Sequence, residues 1–473
     1  MRHSNQRRLH QQVQFLRRRF AQDGHLPFSD VLSADLVTRA LSAVSVVWID
    51  RIYSPLVTLW VFLSQVLSPD HSCRAAVARL MAHRIAKGQK PCSAKTGAYC
   101  QARERLPEKF FSTLACSVGN ALDDKSEPRW AWKGRRVYLF DGTTVDMPDT
   151  PGNQDAYPQV YNQRQGLGFP IARVGAIISL ACGAIVNLGI CRYAGTGQGE
   201  VSLLRQLWGA LRTGDILLTD RLQANWLNIV LLKERGLDLV SRLNKANRTA
   251  DFRRGKRLGR QDHIVRWNKP TSIRSLDRAS YQALPESVTI RETRIRAAQP
   301  GFRTKSIVIV TTLLDPIQTT KEDLATLYRA RWNNELDLRS IKSTMQMHEL
   351  RCKTPEAVRK EIWTHALAYN LIRTLMAQAA ATHGILPRAI SFKGTLQTLE
   401  AFQPLIERST DRDIAHRLGL YRHLLDAIGA HRVADRPDRF EPRAKKKRRD
   451  HYAWLTSPRG EIKRQMAKGV ATK

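Results

Sequence analysis

The feature that most limits what this chain can fold into is a change of hydrophobic period near residue 132. Before it, apolar residues recur at helical spacing. Val31, Leu32, Leu36, Ala40 and Leu41 follow Ser29, a residue type suited to an N-cap. Further helices are predicted over residues 55–67, 73–85, 94–105 and 108–122, separated by Pro69, Gly88, Pro91 and Pro107. After residue 132, apolar runs of strand length take over. Residues 137–140 end at Asp141, residues 171–180 and 184–193 flank a Cys182-Gly183 turn, and residues 216–219 end at Asp220. Helices are predicted over 200–211 and 224–235, strands over 237–243 and 306–312, and long helices over 321–345 and 355–382.

Three strands with antiparallel pairing, then alternating helices and strands, imply an α/β fold: a ribonuclease-H-like mixed sheet with helices on both faces. Residues 244–305 are rich in Arg, Gly and Pro with short β runs at 263–267 and 288–296, which reads as a β-rich insertion. The expected organisation has five parts. Residues 1–122 form a helical N-terminal DNA-binding domain, 131–243 the first part of the core, and 244–305 the insertion. Residues 306–400 form the second part of the core, and 401–473 a helical and basic C-terminal region. Within the first part, residues 93–106 are either a DNA-reading helix or an amphipathic surface helix.

Charge narrows the partner. The 473 residues carry 77 Lys plus Arg against 42 Asp plus Glu, a net +35. Such an excess implies a polyanion, because displaced counterions reward phosphate contacts collectively. Residues 1–20 hold six Arg and no acid. Residues 443–449, including Lys445, Lys446, Lys447 and Arg448, hold six basic residues among Pro437, Pro442 and Pro458, an irregular arm suited to tracking phosphates. The longest apolar stretch, 54–67, is too short to span a bilayer, and the basic N-terminus resembles no signal peptide. Seven cysteines without a C-x-x-C pair argue against a disulfide scaffold or a zinc ribbon. A cytoplasmic, nucleoid-associated location is expected, with no membrane partner.

Asp141 and Asp220 each follow a buried strand, which would hold their side chains rigidly in a crevice beside the sheet. Two-metal phosphoryl transfer needs such hard oxygen ligands, although an Asp after a strand is also an ordinary turn former. In YRARWNNELDLRSIK, Tyr328, Arg331, Glu335 and Lys342 fall within about 60° of one another on a regular helix. That face suits a metal ligand beside a phosphate clamp. It equally suits a salt-bridged surface, since Arg331–Glu335 and Glu335–Arg339 are i,i+4 pairs. His263 and His348 suit surface or hydrogen-bonding roles, Trp267 a core position, and Glu200 a favourable first-turn charge.

The spacing Y-x2-R-x3-E-x6-K, filled by Tyr328, Arg331, Glu335 and Lys342, resembles the signature of DDE transposases of the insertion-sequence-four family. FDGTTVDMPDTPGNQ around Asp141, GDILLTDR ending at Asp220 and Arg221, and VTTLLD before the signature look similar too, as do LWVFLSQVLSPDHSC and PRAKKKRRDHYAWLTSPR near the ends. Aromatic residues common in the family after the second Asp-Arg are replaced here by Leu222 and Gln223. The resemblance implies that Asp141, Asp220 and Glu335 hold two Mg²⁺ ions, with Mn²⁺ as a substitute. It implies that Tyr328, Arg331 and Lys342 grip the transposon end. Terminal inverted repeats and target DNA would be the partners, with a dimer in the DNA complex. A silent DNA-binding regulator or a nuclease without strand transfer are the alternatives.

Overall fold

The computed structural model describes residues 32–44, 51–246, 248–273, 275–296, 306–408, 414–433 and 454–468. Five helices open it: α1 (Ala34–Ser42), α2 (Pro55–Leu67), α3 (Cys73–Ala86), α4 (Gly97–Arg105) and α5 (Glu108–Asp124). Serines at 33, 54 and 72 cap the first three by accepting an amide hydrogen from the first turn. Ser29 lies outside the described residues, and Ser33 takes the capping position. α4 begins at Gly97, later than the sequence pattern suggests, and Lys95, Gln101 and Arg105 are exposed while Tyr99 and Arg103 are buried. Of the two readings of residues 93–106, this gives a helix with one face in a core and a basic, polar face outward.

Nine strands form one sheet: β1 (Val137–Asp146), β2 (Ile171–Ser179), β3 (Ile185–Arg192), β4 (Ile216–Leu218), β5 (Asp238–Arg242), β6 (Lys256–Gly259), β7 (Asp262–Asn268), β8 (Ser287–Arg296) and β9 (Ser306–Thr311). Their order is β3-β2-β1-β4-β5-β9-β8-β7-β6. The β1–β4 and β4–β5 pairs are parallel and the others antiparallel, so the sheet is mixed. The insertion strands do not form a separate body, since β6–β8 extend the same sheet through β9. There Arg291 is buried in a two-bond contact with Asp262 (2.6 and 2.8 Å) and donates to the Thr319 carbonyl (2.6 Å). Trp267 is a core residue, as expected. Its indole donates to Glu292, which also pairs with buried His263.

Helices cover both faces. α6 (Glu200–Leu207) and α7 (Trp226–Glu234) pack on the face that carries Tyr138, Phe140 and Leu217. The other face, with Val137, Leu139, Ile216 and Leu218, meets the chain's largest core. That core takes in α10 (Pro355–Thr382), the N-terminal helices through Phe62, Phe110 and Phe111, and residues of α11 (Phe392–Arg408) and α12 (Ile414–Ala430). The N-terminal helices therefore share their interior with the sheet. Among the described residues no helix is long and apolar enough to cross a membrane, and all seven cysteines are free.

The segment predicted as one helix over 321–345 is divided. α8 (Lys321–Ala330) begins with a reciprocal Thr320–Asp323 capping box, and Arg331 separates it from α9 (Trp332–Arg339). The backbone then widens into a π turn, Ser340–Thr344, where the Ser340 hydroxyl bonds the Leu336 carbonyl. Asp337 fixes α9. It is fully buried, pairs with Arg373 of α10, and receives two bonds from Arg388 (2.6 and 2.7 Å). Arg388 also donates to the Ser179 and Leu180 carbonyls at the end of β2 (2.8 and 2.9 Å). Removing the carboxylate would strand two buried guanidinium groups. Asp337→Ala should therefore lower the unfolding free energy by about 3–5 kcal/mol, read from urea denaturation midpoints at unchanged slope.

Candidate active site

β1 is longer than its apolar run suggests, so Asp141 lies within the strand, opposite Ala176 of β2. The crevice survives because β4 is short. It pairs with β1 only from Val137 to Leu139 and stops at Leu218. From Phe140 until the bridge of Asp146 with Glu349, β1 has a strand on one side only among the described residues, and Asp141 sits at that opening. Alternation along β1 places Asp141 with Val137 and Leu139, on the face that α9 approaches. Asp220 stands two residues beyond β4. Its side chain accepts the Leu222 amide (2.9 Å) and its carbonyl accepts the Ser241 hydroxyl of β5. One Asp141 oxygen accepts the Gly142 amide (2.8 Å).

Glu335 is in the first turn of α9 and is bound by Arg331 (3.0 Å). Arg331 lies against Tyr328 and within electrostatic reach of Asp141, while Tyr328 senses Asp220. Arg331 thus links Glu335 to Asp141, and Tyr328 links Arg331 to Asp220. Lys342 does not join them. The π turn breaks the regular 100° step on which a common face depends, and Lys342 is placed near Asp146, at the far end of β1, together with His348. The His348 ring bonds the Lys342 carbonyl (2.6 Å). Lys445, Lys446, Lys447 and Arg448 lie outside the described residues.

Glu200 is a residue that sequence reasoning passed over. It heads α6 and pairs with Arg173 of β2 (3.3 Å), and its charge acts on Asp141 and Asp220. Burial first, then the neighbouring charges of Glu200 and Asp220, push the Asp141 carboxyl up to about 6, against the Gly142 amide and Arg331, which pull it down. Burial likewise raises Glu200.

The donor chemistry fits a hard divalent cation: every candidate ligand is a carboxylate. Two buried polar side chains next to the acids also have no hydrogen-bond partner, Thr219 beside Asp220 and Asn334 beside Glu335. The carboxylates are not closed into a cage, however. Among the described residues no three His, Cys, Asp or Glu side chains meet as a cation site, and Glu335 is turned to Arg331.

Comparisons with known proteins show what the chain is similar to. A family model described as the transposase DDE domain matches residues 132–371. That span contains both aspartates and Glu335. The InsG transposase of insertion sequence element IS4 from Escherichia coli (strain K12) is 26% identical over 399 residues, covering 82% of this chain and 86% of InsG. A solved piggyBac transposase synaptic complex with hairpin DNA aligns over 81% of this chain and 86% of its own, at 10% identity and a TM-score of 0.38. The chain belongs to the DDE transposase family. Within it, the match to InsG agrees with the insertion-sequence-four signature read from Tyr328, Arg331, Glu335 and Lys342.

A raised carboxyl is a stability statement. In the metal-free protein, the Asp141 contribution is complete below pH 3.8 and is lost as pH rises through about 6. Asp141→Asn keeps the acceptor for the Gly142 amide and removes the buried charge. It should raise metal-free stability at pH 7.5 by on the order of 2 kcal/mol and give no gain at pH 3.5, as measured by thermal unfolding in chelator.

Proposed function

We propose that this transposase cleaves the ends of its insertion element and joins them to target DNA by two-metal phosphoryl transfer. The observation that supports the reading is the placement of Asp141 and Asp220 beside the opening where β4 stops, with Arg331 linking Glu335 to Asp141. The order β3-β2-β1-β4-β5, antiparallel and then parallel, supports a ribonuclease-H-like core, with β9 as its return and β6–β8 as its insertion. Asp141, Asp220 and Glu335 would hold two Mg²⁺ ions, or Mn²⁺ in their place. When bound, these supply Lewis-acid stabilisation of the phosphoryl oxygens and an activated oxygen nucleophile for in-line displacement.

The chain's own residues orient the substrate. Arg331 offers a planar fork, only part of which is engaged by Glu335, so it can bind a phosphate beside the acids. Tyr328 braces that guanidinium. Lys342, at the other end of β1, serves a phosphate farther along the DNA. Two paired ends imply two copies of the chain in the DNA complex.

The direct test uses pre-cut ends and supercoiled plasmid. Joined products identify a transposase, nicks alone a nuclease, and binding without either a regulator. Ala at Asp141, Asp220 or Glu335 should abolish cleavage in Mg²⁺ while leaving DNA affinity within about twofold. Full nicking by Asp220→Ala would sink the assignment.

Binding labour is divided. We assign recognition of the terminal repeat to the N-terminal helices, with Lys95 just before α4 and Gln101 and Arg105 on its exposed face, and sequence-independent affinity to the basic arm. Ala at Lys445, Lys446, Lys447 and Arg448 should weaken repeat and random DNA equally. Each lost phosphate contact should flatten the log K against log salt slope by about 0.9. Loss of repeat preference at intact random-DNA affinity would overturn this division.

A further inference from the structure

We infer that Glu200 is a fourth carboxylate of the active site, facing its divalent cations from the opposite side of the sheet at the opening beyond Leu139 and Leu218, where Gly142 leaves room for it. The inference rests on the transposase reading above. Tyr138 and Phe140 lie on the α6 face with Leu203, Leu204 and Leu207, so strand alternation puts position 142 on that face and Asp141 on the other. A Cβ on Gly142 would come within 3.0 Å of both Cγ and Oε1 of Glu200. The Glu200 carboxyl therefore occupies the space that a side chain at 142 would fill, directly beneath the residue that follows Asp141.

A sheet normally separates such groups. Here it does not, because the β1–β4 pairing ends at Leu139 and Leu218. Among the described residues no strand pairs with that edge of β1 between Leu139 and the Asp146–Glu349 bridge, and carboxylates from both faces flank this opening. Glu200 interacts electrostatically with both Asp141 and Asp220, across that opening. A helix-dipole role explains none of this, since an exposed acid in the first turn would satisfy it and needs no glycine opposite. In the metal-free protein Arg173 balances the charge. Its guanidinium holds Glu200 at 3.3 Å, bonds the Tyr193 carbonyl at 3.1 Å and lies over the Tyr193 ring.

The test measures Mn²⁺ binding to the full-length protein by electron paramagnetic resonance of the free ion, alongside the rise in thermal midpoint that Mn²⁺ produces. Asp220→Ala, Glu200→Gln and Glu200→Asp are compared with the parent. The amide variant keeps the shape of Glu200 and should fold, which the metal-free melting temperature and terminal-repeat affinity check. The expected result is a Mn²⁺ dissociation constant raised about tenfold or more in Glu200→Gln, a smaller Mn²⁺-induced thermal shift, and partial recovery in Glu200→Asp. Gly142→Ala, which displaces the carboxyl without removing it, should weaken Mn²⁺ binding in the same direction. If Glu200→Gln and Gly142→Ala bind Mn²⁺ like the parent while Asp220→Ala loses it, Glu200 is only a partner of Arg173 and the inference fails. If Asp220→Ala also binds normally, the metal-site reading itself fails with it.

Discussion

The arrangement of the site depends on one buried contact: the Asp337 carboxylate enclosed by Arg373 and Arg388. α9 is only eight residues long and carries few apolar side chains, so packing alone would hold it weakly. The ionic contact ties it to the longest helix of the core and, through Arg388, to the carbonyls that end β2. A carboxylate with no exposure and two guanidinium partners is costly to desolvate, so it does little for net stability against an apolar core. Its value lies in direction. Asp337 is two residues from Glu335, on the opposite side of the helix, and anchoring one presents the other to the crevice.

The start of the signature segment is fixed from elsewhere. Arg291 of the insertion reaches the Thr319 carbonyl, one residue before the N-cap of α8. Lys133, just before β1, also pairs with Asp323 of the capping box (2.6 Å). The insertion thus braces the helix that carries Tyr328 and is more than an appended surface.

Much of this was legible in the sequence. Buried strands and apolar helices write their period plainly, and the helices starting at Pro55 and Pro355 agree with their expected bounds because a threonine or serine cap and a proline mark each start. Local context placed Asp220 after its strand and Glu335 on a helix, where the structure has them, but left a turn former and a salt-bridged surface equally open as their roles. The extent of β1 was not, since DGTTVD is polar and its pairing comes from β2, a partner set by tertiary structure. Nor was the π turn, because a regular 100° step is assumed in any face drawn from spacing. That is why Lys342 stands apart from Glu335. Glu200 and Gly142 were separately unremarkable, and only the fold brings them together. A glycine directly after a candidate ligand, within a strand, was the available signal.

The common interior of the N-terminal helices and the sheet has an evolutionary consequence. Phe62, Phe110 and Phe111 belong to the same apolar body as Leu139 and Leu218. The N-terminal helices and the sheet are therefore not interchangeable cassettes in this chain. Exchanging the first five helices with those of a relative would also exchange part of an interlocked interior, with mismatched volumes on either side of the join. Lineages built on this plan can change the outward-facing side chains of these helices one at a time, whereas wholesale exchange of the front end requires repacking the core.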